Sequence, residues 1–292
     1  MTNWTHIPIL APEIAELLLT NPNGTYMDGT LGLGGHTRYF LTKLAPNARI
    51  FGFDKDEEAL QLAQQNVADE RLKAFHASYT QAPELLAAQG VDAVDGILLD
   101  LGLSSYQLDN PQRGFSIINN GPLDMRFDLK SPLSAVIIVN TWPLDELVRI
   151  LKDYGEEHRA EEIALAIMRA RKEKPFTTTQ ELAKTVENVV PRHGKNHPAT
   201  QTFQALRIAC NGELDAVEKG IRLLPDLLKF GGRAAVLTFH SLEDRLVKNL
   251  FKELVKHGGW KLVNKHALSP SYEEVKQNRR ARSAKLRVIE RV

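Results

Sequence analysis

The chain has 292 residues, of which 43% are hydrophobic and 25% charged, a composition typical of a globular protein with one large domain or two modest ones. No apolar run approaches the roughly 18 residues of a membrane-spanning helix, and the N-terminus lacks the basic start and apolar run of a signal peptide. A single cysteine, Cys210, excludes an internal disulfide and a cysteine-built zinc site. These features predict a cytoplasmic protein, and its net charge of +1 neither indicates nor excludes a nucleic-acid partner.

The first hundred residues alternate between short apolar runs and stretches with helical spacing. The apolar runs are bounded by glycine or aspartate, which is typical of buried parallel strands. The predicted strands are residues 25–27, 50–53, 72–75 and 96–99, and the predicted helices are 10–20, 36–44, 57–67 and 81–89. Because strands and helices alternate, the pattern predicts a doubly wound, mostly parallel sheet, an α/β fold.

After residue 100 the pattern changes twice. Residues 105–128 are rich in Asn, Pro, Gly and Asp and predict a long irregular loop of the kind that is often functional. Helical spacing alone then follows in residues 144–151, 160–171, 179–189 and 200–210, with an N-cap at Thr178 for the third of these helices.

The sheet pattern returns near the C-terminus. The predicted elements are a long helix over 214–230 closed by Gly231-Gly232, a strand over 233–238, a helix over 242–257, and a final strand pair over 260–263 and 284–289. The sequence therefore predicts one α/β domain made of residues 1–106 and 212–292, interrupted by a helical domain of residues 107–211.

A glycine-rich segment, DGTLGLGGH at residues 28–36, follows the first predicted strand and opens a helix. At this position backbone N–H groups and the helix dipole face a ligand, although a plain tight turn is the alternative. Thr37 stands where a dinucleotide fingerprint has its third glycine, and a carboxylate at Asp28 would repel a pyrophosphate. A cofactor with cationic and anionic groups, such as S-adenosylmethionine, suits this segment better than the nicotinamide cofactor of a dehydrogenase.

Two further aspartates end predicted strands. Asp54 follows the second strand, where a carboxylate can accept both ribose hydroxyls of an adenosine. Its alternative role is the N-cap of the next helix, which Asp56 can serve equally well. Asp100 ends the fourth strand, so it too is expected at the carboxyl edge of the sheet, where ligands bind in such folds.

Nine motifs spread almost end to end along the chain carry a more specific signal. With them the chain resembles the RsmH (MraW) family of bacterial methyltransferases, which modify N4 of a cytosine in small-subunit ribosomal RNA. The motifs are DGTLGLGGH at 28–36, DGILLDLGLSS at 95–105, RGFS at 113–116, GPLDMR at 121–126, YGEE at 154–157, HPAT at 197–200, FQALRI at 203–208, FHSLEDR at 239–245 and RSAKLR at 282–287.

This resemblance implies a class I Rossmann-like methyltransferase with an inserted helical domain that helps recognise the substrate. It implies S-adenosyl-L-methionine as the cofactor and 16S rRNA within the small ribosomal subunit as the partner, with no membrane and no metal. The reaction implied is N4-methylation of cytosine 1402, in the family's nomenclature, in the decoding region. By the same resemblance the cofactor contacts are Gly34, Gly35, His36, Asp54, Tyr79, Asp100 and Gln107.

The chemistry of the reaction assigns Asp100 a second, catalytic role. The cytosine amine is a weak nucleophile, and an acceptor hydrogen-bonded to it would localise its lone pair and take up its proton. Asp100 or the adjoining Ser104-Ser105 segment follows the fourth strand and is well placed for this, and Asp100 is the predicted catalytic residue. No cysteine lies near this loop, which argues against the covalent route that methylates carbon 5 of pyrimidines.

Basic and aromatic residues in three parts of the chain are candidates for RNA contact. Residues 276–287 contain six basic residues and no acidic one, a pattern of either a phosphate-binding patch or a solvated basic surface. The other candidates, for which loop anchors, ordinary surface charges or structural histidines are the alternatives, are Arg113, Phe115, Arg126, Phe127, His240 and Arg245. A non-catalytic RNA-binding protein with a relict fold also stays open.

Overall fold

A computed structural model describes residues 8–192 and 197–292. Residues 1–7, on which the prediction of no signal peptide rests, lie outside the described residues. The chain divides into two compact units. An α/β unit comprises Met1–Gly102 and Leu214–Val292, and a helical unit comprises Leu103–Glu213. Among the described residues, no helix combines the length and apolarity needed to cross a membrane.

The α/β unit is built on a seven-stranded sheet in the order β3-β2-β1-β4-β5-β7-β6. Strands β1 to β5 are parallel, and β7 runs antiparallel between β5 and β6. The strands are β1 (Thr25–Asp28), β2 (Arg49–Asp54), β3 (Leu72–His76), β4 (Val94–Asp100), β5 (Leu228–Thr238), β6 (Trp260–Leu262) and β7 (Lys285–Arg291). The predicted α/β fold class and the final strand pair are both confirmed.

Fourteen helices occur among the described residues. They are α1 (Ala11–Leu18), α2 (Gly35–Leu41), α3 (Glu57–Val67), α4 (Ala82–Ala87), α5 (Ser105–Asp109), α6 (Ala135–Thr141), α7 (Leu144–Asp153), α8 (Ala160–Glu173), α9 (Thr179–Glu187), α10 (Thr200–Asn211), α11 (Glu213–Arg222), α12 (Leu224–Leu227), α13 (Ser241–His257) and α14 (Tyr272–Gln277). Short 3₁₀ turns occupy Tyr79–Gln81, Pro111–Arg113 and Arg279–Ser283.

The central strands of the sheet are buried on both faces. Ile97 and Leu99 of β4 pack into one core cluster, whereas Leu98 packs into the other. Successive side chains of a strand point to opposite faces, so β4 supplies both layers of the core. Burial on both faces explains why the parallel strands are continuous apolar runs in the sequence.

The predicted long helix over 214–230 is wrong. Helix α11 ends at Arg222, α12 covers only Leu224–Leu227, and β5 begins at Leu228. Pro225 has no N–H to donate to a preceding carbonyl and is tolerated only in a first helical turn, so it ends α11 and begins α12. Gly231, in the left-handed region at φ 75°, lies inside β5 at an irregularity in its pairing with β4 and not at a helix C-cap.

In the helical unit, α7 to α10 confirm the four predicted helices, and Thr178 caps α9 in a reciprocal capping box with Glu181. Helix α6 has no clear signal in the sequence, because its nearly continuous apolar run does not alternate with polar residues at helical spacing. The segment predicted as an irregular loop contains a short helix, α5, because Ser104 and Gln107 form a second capping box.

Candidate active site

Three aspartates end neighbouring strands at the carboxyl edge of the sheet. Asp28 ends β1, Asp54 ends β2 and Asp100 ends β4, and β1 lies between the other two strands. The chain winds outward in one direction through β2 and β3 and in the other through β4 and β5, so β1 and β4 flank the switch point of the sheet. Ligands of open α/β sheets bind in the crevice at this point.

The glycine segment forms a tight loop between β1 and α2. Gly32 and Gly34 adopt left-handed backbone conformations, with φ values of 53° and 78°. A Cβ on Gly34 would also lie 2.5 Å from Cγ2 of Val67 in α3, so both conformation and packing require glycine there. Gly34 is the N-cap of α2 and Gly35 its first residue, which leaves the first N–H groups of the helix without partners in the helix itself.

Asp54 holds this loop in place. Its Oδ2 accepts a hydrogen bond from the N–H of Gly32 at 2.7 Å, and its Oδ1 accepts one from the N–H of Asp56 at 2.8 Å. Burial raises the pKa of Asp54 to about 6. The N-cap of α3 is Asp56, whose carboxylate accepts from the N–H groups of Glu58 and Ala59. Asp54 is therefore not the N-cap of α3.

Asp28 lies beneath the loop and is only 2% exposed. Its carboxylate accepts hydrogen bonds from the hydroxyl of Thr37 at 2.7 Å and from the N–H of Thr30 at 3.3 Å. The hydroxyl of Thr37 thus explains why a threonine stands where a dinucleotide loop has its third glycine. Burial raises the pKa of Asp28 to about 6.

Replacing Asp28 with asparagine should stabilise the protein above neutral pH. The pKa of Asp28 rises from 3.8 to about 6 on folding, so its contribution to stability is greatest below pH 4 and is lost as the pH rises through 6. We expect the free energy of unfolding of Asp28→Asn to exceed that of the wild type by about 3 kcal/mol at pH 8 and to lie close to it at pH 4, in urea unfolding. A less stable Asp28→Asn variant at pH 8 would mean that the carboxylate's hydrogen bonds outweigh its burial.

Asp100 forms a pair with His36. Oδ2 of Asp100 lies 3.4 Å from Nδ1 of His36, and Nε2 of His36 lies 3.0 Å from the carbonyl oxygen of Ile9. Burial raises the pKa of Asp100 to about 7, with a further rise from the charge of Glu243, and burial lowers the pKa of His36. The N–H of Asp100 donates to Oγ1 of Thr30 at 2.6 Å, which fixes the end of β4.

The contacts of His36 determine its protonation. A carbonyl oxygen can only accept, so Nε2 of His36 carries the hydrogen and donates it to Ile9. Nδ1 of the neutral ring is then an acceptor, and it can accept a hydrogen bond from the protonated form of Asp100. His36 is therefore a buried residue that orients the Asp100 carboxyl group.

Tyr79 and Gln107 complete the predicted set. Tyr79 begins the 3₁₀ turn after β3 and is 8% exposed; a Cβ on Gly220 would come within 2.6 Å of its ring, so that glycine makes room for the tyrosine. Gln107 is buried in the helical unit, where its Oε1 accepts from the N–H of Ser104 at 3.0 Å. The other six predicted residues lie in the α/β unit, and all seven cofactor contacts stay predictions.

The predicted RNA contacts of the long loop point inward. Arg113 is 3% exposed and donates to the carbonyl oxygens of Arg126 and Phe127. Phe115 is buried with its ring centroid 5.7 Å from that of Phe127, and Arg126 pairs with Asp124 at 2.7 Å. These contacts support the alternative interpretation of the four residues as loop anchors.

Sequence analysis missed Glu243, since nothing in its spacing marks it. It is 1% exposed in the first turn of α13, its Oε2 accepts from the N–H of Phe239 at 2.8 Å, and its Oε1 lies 3.1 Å from Nε2 of His240. His240 is the N-cap of α13, which supports its interpretation as a structural histidine. Arg245 is exposed on the same helix.

Comparison with known proteins shows the family of the chain. The sequence model of the MraW methylase family matches residues 3–292. The ribosomal RNA small subunit methyltransferase H of Elusimicrobium minutum is 56% identical, and that of Geobacter sp. is 45% identical, in each case over all of both chains. The chain belongs to the MraW methylase family.

A solved structure of an rRNA methylase from Streptococcus thermophilus aligns with 97% of this chain and 93% of its own, at 12% identity and a TM-score of 0.45.

Proposed function

We propose that this protein is an S-adenosylmethionine-dependent methyltransferase that methylates N4 of cytosine 1402 in 16S ribosomal RNA. The observation that carries the proposal is the set of three carboxylates, Asp28, Asp54 and Asp100, around the switch point of the sheet. The names of the relatives support ribosomal RNA of the small subunit as the substrate. We assign substrate recognition to the helical unit, Leu103–Glu213.

The donor set of the site fits this cofactor. Asp54 offers carboxylate oxygens to ribose hydroxyls, and the first N–H groups of α2, beginning at Gly35, suit the cofactor's carboxylate. The buried carboxylates lower the potential where the cofactor's ammonium and sulfonium cations would lie. When bound, the cofactor would supply a methyl group on a positively charged sulfur, and the sulfur would leave as a neutral thioether when its bond to the methyl carbon breaks.

The chain itself handles the proton. Asp100 accepts a hydrogen bond from the cytosine amine and takes its proton as the new carbon–nitrogen bond forms, because its raised pKa makes the carboxylate a stronger base than an exposed aspartate. His36 acts through Asp100, as a positioning residue, because its Nδ1 can accept a hydrogen bond from the carboxyl group once Asp100 has taken up the proton.

The only cysteine supports direct transfer to nitrogen over a covalent route to carbon 5. Cys210 is buried in the helical unit, and its Sγ donates to the carbonyl oxygen of Leu133 at 3.1 Å. Burial raises the pKa of its thiol to about 12, so a nucleophilic thiolate is scarce at neutral pH.

Mapping the modified atom tests the proposal. The protein is incubated with cofactor labelled in its methyl group, with small ribosomal subunits and with free 16S rRNA. We expect label on N4 of cytosine 1402 and none on RNA in which uridine replaces that cytosine. Label on carbon 5, or on another nucleotide, would contradict the proposed reaction.

A further inference from the structure

The inference concerns an exposed surface near the C-terminus, here named the basic surface and defined as Tyr272, Lys276, Arg279, Arg280 and Arg282. All five side chains are exposed, and Tyr272 is 78% exposed although it is a large aromatic residue. Residues four apart in a helix lie on one side of it, so Tyr272 and Lys276 share a side of α14. The aromatic ring of Tyr272 and the cation of Lys276 are therefore exposed on the same side of the helix.

Both elements that carry the basic surface are anchored. Glu274 of α14 accepts a hydrogen bond from the N–H of Leu10 at 2.8 Å, and Val275 packs against the core cluster that contains Leu10. In the 3₁₀ turn that follows, Ala281 is completely buried between arginines, and Asn278 caps the turn. The arginines are therefore held on a fixed turn and not on a flexible tail.

Three of the four cations have no acidic partner. Within residues 8–192 and 197–292, no carboxylate forms an ion pair with Lys276, Arg279 or Arg282. The contrast with the next two basic residues of the run is clear, since Lys285 and Arg287 both pair with Asp244, at 3.3 Å and 2.7 Å, and support the fold. Lys276, Arg279 and Arg282 are therefore available to bind an external anion.

The turn lies at the same edge of the sheet as the acidic strand ends. Strand β7 is antiparallel to β5, and Lys285 at its start pairs with Thr238 at the end of β5. In turn, Leu237 of β5 pairs with Asp100 of β4. The residues just before β7 therefore lie beside the carboxyl edge, on the side of the proposed methyl-transfer site.

We propose that the basic surface binds an unpaired segment of the RNA substrate, with the cations on phosphates and a base stacked on Tyr272. Cations alone would suit any polyanion, but an exposed ring on a fixed helix can stack on a base only where the base is not enclosed in a duplex. The identity of the RNA rests on the proposed function, whereas the binding mode rests on the side chains of the surface.

Fluorescence anisotropy with a labelled, unstructured RNA oligonucleotide tests the binding mode. For Arg279→Ala/Arg282→Ala we expect weaker binding. The slope of log K against the logarithm of the salt concentration should fall in magnitude by about 1.4, since each phosphate contact with a single strand contributes about 0.7.

For Tyr272→Ala we expect roughly 10-fold weaker binding with an unchanged salt dependence, and for Tyr272→Phe the affinity of the wild type. A control double variant, Lys248→Ala/Lys252→Ala, removes two exposed cations from α13 and should bind as the wild type does.

Several results would overturn the inference. They are equal losses in the two double variants, a Tyr272→Ala variant that binds like Tyr272→Phe, or an RNA duplex bound as tightly as the single strand. If the arginine variant lost binding to polyglutamate but not to RNA, the surface would belong to an acidic protein partner.

The methylation assay separates this inference from the proposed function. We expect the surface variants to raise the KM for RNA while kcat and the affinity for S-adenosylmethionine stay those of the wild type. A wild-type protein that bound RNA through this surface but transferred no label to 16S rRNA would contradict the proposed function alone.

Discussion

Replacing Asp54 with alanine should weaken the binding of S-adenosylmethionine by roughly 100-fold, as measured by titration calorimetry. Two hydroxyl groups of the ribose would each lose a charged acceptor, at about 1.5 kcal/mol or more apiece, and about 1.4 kcal/mol corresponds to a factor of ten in Kd. Part of the loss would come from the loop, because the N–H of Gly32 donates to the same carboxylate.

The neighbouring Asp56 provides a matched control. It caps α3 and lies only two residues from Asp54, so Asp56→Ala removes a carboxylate from the same segment and lowers the stability of the protein by about 1 kcal/mol. We expect its affinity for the cofactor to stay within a few-fold of the wild type. Equal affinities of Asp54→Ala and the wild type would refute the ribose assignment, whereas equal losses in both variants would point to general damage of the loop.

The positions of Asp28, Asp54 and Asp100 at one edge could be predicted because each directly follows a short apolar run. In a parallel sheet the carboxyl ends of all such runs meet at the same edge, so the argument needs only the strand assignments. The same logic predicted β7 and the end of β5 correctly from their apolar residues. The prediction failed at 214–230. The amphipathic spacing of this segment predicted one long helix although Pro225 favours a break, so the predicted start of β5 is later than the observed Leu228.

The pairing of His36 with Asp100 could not be predicted from spacing. It depends on two loops at different strand ends and on a carbonyl group near the N-terminus, that of Ile9, which fixes the ring. The role of Glu243 could not be predicted for the same reason. Its charge raises the pKa of Asp100 only because the folded sheet brings the start of α13 near the end of β4. Arg113 shows the opposite error, because a basic residue in a polar loop suggested RNA contact but is buried as an anchor of that loop.

Replacing Asp100 with asparagine should lower kcat by about 10²- to 10⁴-fold at saturating cofactor and RNA, the usual contribution of a positioned general base. Asparagine keeps a carbonyl oxygen to accept a hydrogen bond but cannot take up the proton of the amine. An exposed aspartate just before β4 provides the control, and Asp92→Asn should leave kcat unchanged. Measurement in a single turnover separates the loss from slow product release.

The pH dependence of the rate distinguishes a base from a merely structural carboxyl group. The pKa of Asp100 is about 7, and the reaction needs its carboxylate form, so the wild-type rate should rise as the pH increases through 7 and then level off. The negative charge of Glu243 helps to raise this pKa, so Glu243→Gln should move the midpoint of the profile to lower pH. Because the amide of glutamine can still accept from the N–H of Phe239, the start of α13 should survive the change. Two results would assign the proton to another acceptor. One is an unchanged midpoint of the pH–rate profile in Glu243→Gln, and the other is the same rise through pH 7 in the residual activity of Asp100→Asn.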